Sequence, residues 1–266
     1  RHKSNQYLLN SLDTEAEYKP RFSDLQTYLN YKLDTDWDIS FLANISKNEY
    51  NMIPQNRDTD FGTFNEALRL TIYFEGQEVD RYETYFGALS TKYNPNTHLQ
   101  LQLTTSAFKT FEQENFDILG EYWLYQLDNN LGSDNFGDIA FDRGVGKYIN
   151  HARNSLEARV INLAHKGNFN NNNTTIDWGI QFQQEDIDDR IHEWSLIDSA
   201  GFILPHPTDS IGLPSNNNQE VNINELLKTN INISSSRQSG YIQYSKDMNN
   251  LSLNAGTRSS YWSYNE

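Results

Sequence analysis

The stretch that decides the fold is Leu25-Gln26-Thr27-Tyr28-Leu29-Asn30-Tyr31-Lys32-Leu33-Asp34-Thr35-Asp36-Trp37-Asp38-Ile39-Ser40-Phe41-Leu42-Ala43-Asn44-Ile45. Its odd positions up to Leu33 are Leu, Thr, Leu, Tyr and Leu, and its even positions are Gln, Tyr, Asn and Lys. Side chains of a strand alternate between faces, so one face is apolar and the other wet. The tight polar turn Asp34-Thr35-Asp36 follows. The alternation then resumes with Trp37, Ile39, Phe41, Ala43 and Ile45 against Asp38, Ser40, Leu42, Asn44 and Ser46. Each run has about the length that a tilted strand needs to cross a bilayer.

The same grammar recurs three times. Tyr85, Leu89 and Tyr93 approach a turn at Asn94-Pro95-Asn96-Thr97, and Leu99, Leu101, Leu103, Thr105 and Ala107 leave it. A strand over Leu156 to Phe169, with a bulge expected around Ile161–Leu163, reaches the turn at Asn170 to Thr174. Ile176, Trp178, Ile180 and Phe182 follow that turn. The fourth turn is Asp247-Met248-Asn249-Asn250. Leu251, Leu253 and Ala255 leave it, and its first strand, about Ser239 to Lys246, has no decided face. Residues 11–18 alternate weakly. Leu68, Leu70, Ile72 and Phe74 predict a further strand, with a turn at Glu75-Gly76-Gln77-Glu78 that makes a hairpin above the membrane. Between the hairpins, residues 50–80, 112–153 and 191–235 read as long irregular connections. Short turns at one end and long loops at the other predict an all-β chain that forms part of an antiparallel transmembrane β-barrel with long extracellular loops. The competing reading is a soluble β-fold such as a sandwich or a sugar-binding jelly roll, whose connections are usually shorter.

Composition fits the barrel. Hydrophobic residues make up 36% and charged residues 21%, with a mean hydropathy of -0.77. That is lean for a globular core. Aromatics reach 13%, with 16 Tyr, 14 Phe and 5 Trp, which suits rings placed at lipid interfaces. Trp37, Tyr93 and Trp178 beside the short turns are expected to form such a girdle. The net charge of -15 argues against a nucleic-acid partner, which needs a basic face. No cysteine is present, so neither a disulfide scaffold nor a thiolate metal site is available. No apolar run is long enough for a transmembrane helix. A start at Arg1-His2-Lys3 without Met or signal peptide, and an end within an alternating run, are read as marks of an internal piece of a longer protein.

The stretches Phe61-Gly62-Thr63-Phe64-Asn65-Glu66-Ala67-Leu68-Arg69-Leu70, Tyr82-Glu83-Thr84-Tyr85-Phe86-Gly87-Ala88, Asp117-Ile118-Leu119-Gly120-Glu121-Tyr122-Trp123-Leu124, Gly144-Val145-Gly146-Lys147-Tyr148-Ile149-Asn150-His151-Ala152-Arg153-Asn154 and Glu193-Trp194-Ser195-Leu196-Ile197-Asp198-Ser199-Ala200-Gly201 resemble the barrel of TonB-dependent outer-membrane receptors of Bacteroidetes-type bacteria. The resemblance implies that residues 1–266 are a partial, 22-stranded barrel domain, with about eight strands visible and neither plug nor closing strand. It also implies the outer membrane of a Gram-negative cell as location, outer-membrane lipid as surroundings, TonB as a partner through the missing plug, and an unidentified extracellular nutrient as ligand. Alternatives are a plug-less or secretion-linked barrel, or a soluble glycan-binding surface protein.

Within residues 112–153, eight acids (Glu112, Glu114, Asp117, Glu121, Asp128, Asp134, Asp138 and Asp142) interleave with Phe116, Tyr122, Trp123, Tyr125, Phe136 and Phe141. Acids and rings together stack on sugars or hold cations, whereas a purely solvating loop has little use for rings. The ligand-binding residues expected from this are Asp117, Glu121, Tyr122, Trp123, Asp134, Phe136 and, from the third connection, Trp194. Asp34-Thr35-Asp36-Trp37-Asp38 imitates a calcium loop but has Ile39 and Ile45 where Gly and Glu are required, so a turn explains its acids. Glu185 to Arg190 reads as a charged strand end, with cation binding as its sharper alternative. The six histidines show no i, i+4 zinc spacing; His192, beside Glu193 and Trp194, stands out among them. Gly144-Val145-Gly146 lacks what a phosphate loop needs. No catalytic constellation, metal site or cofactor is expected, and the chain does not read as an enzyme.

Overall fold

The computed structural model describes residues 2–3, 16–63, 65–198 and 222–265. These form eleven strands and no helix: β1 (His2–Lys3), β2 (Ala16–Tyr18), β3 (Arg21–Lys32), β4 (Trp37–Pro54), β5 (Arg57–Thr63), β6 (Glu66–Asn96), β7 (Leu99–Leu127), β8 (Ile139–Asn171), β9 (Thr174–Asp198), β10 (Asn222–Met248) and β11 (Leu251–Asn265). All belong to one antiparallel sheet ordered β1-β3-β4-β6-β7-β8-β9-β10-β11, with β2 on β4 and β5 on β6. The sheet does not close on itself. All substantial strand contacts are with sheet neighbours. Ala152 is the sole buried hydrophobic residue among the described residues, and no large side chain is fully buried. The described residues are therefore a single layer without a core.

The register organises the faces, because residues directly opposite in an antiparallel pair share one. Ile39 faces Thr91, Phe41 faces Leu89 and Ile45 faces Tyr85. Thr91 continues to Leu103, and Tyr93 to Leu101. Leu103 pairs with His165, and Leu99 with Phe169. His165 pairs with Ile180, and Leu163 with Phe182. One apolar band thus runs across β3 to β9 next to the short turns. Nothing covers it: Leu29 is 59% exposed and Ile180 65%. The register also fixes the undecided strand. Ile242 pairs with Trp178 and Tyr244 with Ile176, so the even positions of β10 carry the band. Thr257 and Ala255 extend it on β11. Above the band the same face turns charged, with Lys47 2.8 Å from Glu83, Arg81 3.5 Å from Glu49 and Lys109 3.0 Å from Glu157.

The opposite face is polar at the height of the band. Gln102 Nε2 donates to Ser90 Oγ at 3.0 Å, Ser90 and Thr104 hydroxyls lie 3.0 Å apart, and Asn168 Nδ2 donates to Asp177 at 2.7 Å. The four short turns stand where the sequence puts them. Asp34 Oδ1 accepts the Asp36 and Trp37 N–H groups, both at 2.8 Å, so its carboxylate serves a turn. Asn172 takes a positive φ of 50°, a conformation Asn tolerates. Trp37 stacks on Tyr93 at 4.3 Å, and a Cβ on Gly167 would collide with the Trp178 indole.

The irregular connections are corrected. Residues 50–80 are almost wholly strand, and residues 112–153 contain only the turn of 128–138 between β7 and β8. Of the third, 199–221 lie outside the described residues, as do 11–15 of the weak alternation. Glu75 to Glu78 is no turn. β6 runs straight through it, with Gly76 at φ 106° and still paired with Ile118; the hairpin is instead β5–β6. The bulge expected at Ile161–Leu163 is absent, since β8 holds unbroken register from Ser155 to Asn171 against β9. Glu185 to Arg190 sits mid-strand in β9 and closes nothing. At about 3.3 Å per residue, the 31-residue β6 is roughly 100 Å long. The band occupies only about its last third.

Candidate functional site

Far from the turns, β6, β7, β8 and β9 run side by side, and strand alternation sorts their side chains into two clusters. The first lies on the apolar band's own face. Asp117 accepts from His151 Nδ1 at 2.5 Å and also pairs with Arg153. The Trp194 indole stacks on His151 at 4.6 Å and 15°, and the His192 ring stands 6.2 Å from it. Burial works against ionisation of Asp117, but the Arg153 and His151 hydrogen bonds outweigh it and hold its carboxyl below the usual range. The Asp117 carboxylate has thus found its partners within the sheet.

The second cluster lies on the polar face. Asp80 on β6 is directly opposite Glu114 on β7, and Glu112 is opposite Tyr82. Glu78 is two residues from Asp80 and shares its face. One carboxylate oxygen each from Glu78, Asp80 and Glu114 lies within 4.8 Å of the others. Asp80 is only 7% exposed, yet its Oδ1 has no hydrogen-bond partner. Burial, then the charges of Glu78 and Glu114, push its carboxyl up to about 6. Glu78 is raised by burial first and then by the Glu114 charge, against a hydrogen bond from Asp80 that lowers it. Both shifts carry contributions from neighbouring acids and none from a cation. Farther along the groove, Asn154 Nδ2 donates to Glu193 at 2.6 Å and to Glu114 at 3.3 Å, bridging β7 and β9. Tyr82, Glu112, Asp189 and Glu193 line the same depression. Tyr50, opposite Asp80 across β4, and Tyr82 have hydroxyls pushed up by burial and by the Asp80 charge among others.

The residues singled out in the sequence are therefore divided. Asp117 and Trp194 come together through His151. Tyr122 is on the other face, tilted against Tyr148 at 5.8 Å. Trp123 stacks on Tyr125 at 6.5 Å, and the Tyr125 hydroxyl, 3.1 Å from that of Tyr73, is pushed up to about 12 chiefly by that hydrogen bond. Glu121 stands opposite Tyr73 and Lys147 in the register. Asp134 and Phe136 remain exposed in the β7–β8 turn. All but those two sit on strands, not in loops. Glu78 and Asp80 did not stand out because residues 50–80 read as an irregular connection and Glu78 as the end of a turn. The signal was present: Glu-x-Asp at 78–80 and Glu-x-Glu at 112–114 put two acids on one strand face each.

Comparison with protein-family models, with curated proteins and with solved structures gives no match to this chain.

Proposed function

We propose that this chain is wall and outer surface of a TonB-dependent outer-membrane receptor barrel, and that its charged upper strands contact a nutrient ligand outside the cell. One observation carries the reading. An apolar band one transmembrane strand high crosses neighbouring strands on one face, next to the short turns, with nothing packed on it. Water does not tolerate such a surface without cost, whereas hydrocarbon accommodates it, and hydrogen-bonded neighbours spare the backbone in lipid. Both open edges, β3 with β1 and β11, need further strands to close, which a barrel of 22 strands supplies. The TonB partnership and nutrient role rest on the resemblance of residues such as Phe61 to Leu70 and Asp117 to Leu124, and are carried as a fold-level analogy.

The test uses the full-length protein. It is expected to pellet with outer membranes, to need detergent for extraction, and to bind the purified periplasmic domain of TonB. Outer-membrane location without TonB binding would move the assignment to a passive or secretion-linked barrel. Recovery as a soluble protein that melts cooperatively in plain buffer would overturn it in favour of a glycan-binding surface protein.

A further inference from the structure

We propose that Glu78, Asp80 and Glu114 form a calcium site on the polar face of the sheet, above the apolar band. Three observations meet there. The three carboxylate oxygens lie within 4.8 Å of one another, and oxygens sharing one calcium ion sit at most about 5 Å apart, twice a Ca–O bond. The strands that carry them are locked in register, with Asp80 paired to Glu114, so the spacing is built into the backbone. Asp80 Oδ1 is buried and without a partner, and a buried polar atom left so is costly. A cation at the centre of the three supplies that partner.

Apart from the hydrogen bond between Glu78 and Asp80 and the contact of Asn154 with Glu114, the described surroundings offer no partner for these charges. Among the described residues, no lysine or arginine forms an ion pair with any of the three acids. Three negative charges at this spacing across β6 and β7 repel one another, and one divalent ion offsets two of them. Three carboxylates favour calcium over magnesium, because magnesium keeps most of its water and uses one or two carboxylates. Water completes the six to eight positions that calcium takes. Asn154 already holds one oxygen of Glu114, which orients the other. With the ion bound, β6 and β7 are joined there by a side-chain link in addition to their backbone ladder. The alternative occupant of the gap is a proton shared between Asp80 and Glu78.

The test is a terbium titration of the full-length protein in detergent after chelator treatment, with luminescence excited through tyrosine. Tyr50 and Tyr82 lie close enough to feel the Asp80 charge. The expected result is a saturable signal that calcium displaces with a Kd of about 10⁻⁴–10⁻³ M, the range of extracellular modules, and that magnesium at equal concentration does not. Asp80→Asn and Glu114→Gln each weaken calcium binding about tenfold or more. Glu83→Gln, on the other face and paired with Lys47, leaves it unchanged. As a readout without variants, calcium but not magnesium raises the Tm of the wild-type protein. No saturable signal displaced by calcium would leave the shared proton as the occupant and overturn the proposal. So would equal binding in wild type, Asp80→Asn and Glu114→Gln.

Discussion

At the residue scale, two backbone and charge details carry testable weight. Gly76 holds a φ of 106°, and a Cβ there would collide with the Asp117 carbonyl oxygen on the next strand. Gly76→Ala is expected to destabilise the β6–β7 pairing by roughly 1–3 kcal/mol, read as a lowered Tm. Gly87→Ala, where a Cβ meets nothing within 4 Å, is expected to leave the Tm unchanged. The Asp117 pair with His151 and Arg153 sets a pH signature. A carboxyl held below its usual value stabilises the fold above its unfolded pKa of 3.8 and ceases to do so as pH falls through the lower folded value. The Tm difference between wild type and Asp117→Asn is therefore expected at pH 7 and should vanish in acid. Asp117 is more than half exposed, so the difference is small. That Asp117 lies in an acidic and aromatic segment was legible in the sequence. Its partners were not, because His151 and Arg153 lie 34 and 36 positions away and only the β7–β8 register brings them together.

At the element scale, the strands were legible wherever one face had to be apolar and the other wet. Leu25 to Ile45 announces β3, its turn and the first half of β4 unaided. The upper halves of β7 to β9 were not legible, whereas on β6 the strand at Leu68 to Phe74 was and its run through Gly76 was not, and the reason is physical. A strand with water on both faces needs no alternation, so Glu112 to Tyr125 reads as loop while its backbone hydrogen bonds still hold it straight. Gly76 added a false turn signal, since glycine marks irregular strand backbone as often as chain reversal. The face of β10 was illegible alone because Tyr and Gln suit either side, and pairing with Ile176 and Trp178 decides it. Two predictions belong here. Asp34→Ala removes the acceptor for two turn N–H groups and should cost about 1 kcal/mol in the stability of the β3–β4 hairpin. Leu29→Arg, midway up the band, should cost about 2–4 kcal/mol in lipid, while Asn30→Arg on the other face is expected to cost far less. Refolding into vesicles across a denaturant series measures both.

At the scale of the whole molecule, the described residues form a sheet with no interior, and that absence governs the reading. A soluble chain of this length gains its stability by burying apolar side chains under a second layer. Here the band beside the short turns, with Leu29, Phe41, Leu103 and Ile180, stays uncovered, and further apolar residues such as Leu131 and Leu226 are exposed outside it. The alternation of Leu25 to Ile45 and of Leu99 to Ala107 gives those segments one mainly apolar face and one mainly polar face. No pattern within the described residues encodes closure of the sheet or a strand number. The most direct test exploits the lack of cysteine in the chain. Single cysteines at Leu29, Ile39, Leu101 and Ile180, and at their neighbours Asn30, Ser40, Gln102 and Gln181, are spin-labelled in the full-length protein in bilayers. Collision with oxygen, which concentrates in hydrocarbon, is compared with collision with a water-soluble nickel chelate. The expected result is strict alternation, with the first four positions oxygen-accessible and the second four nickel-accessible. Nickel access at all eight, or access to neither reagent at the first four, would contradict a lipid-facing band.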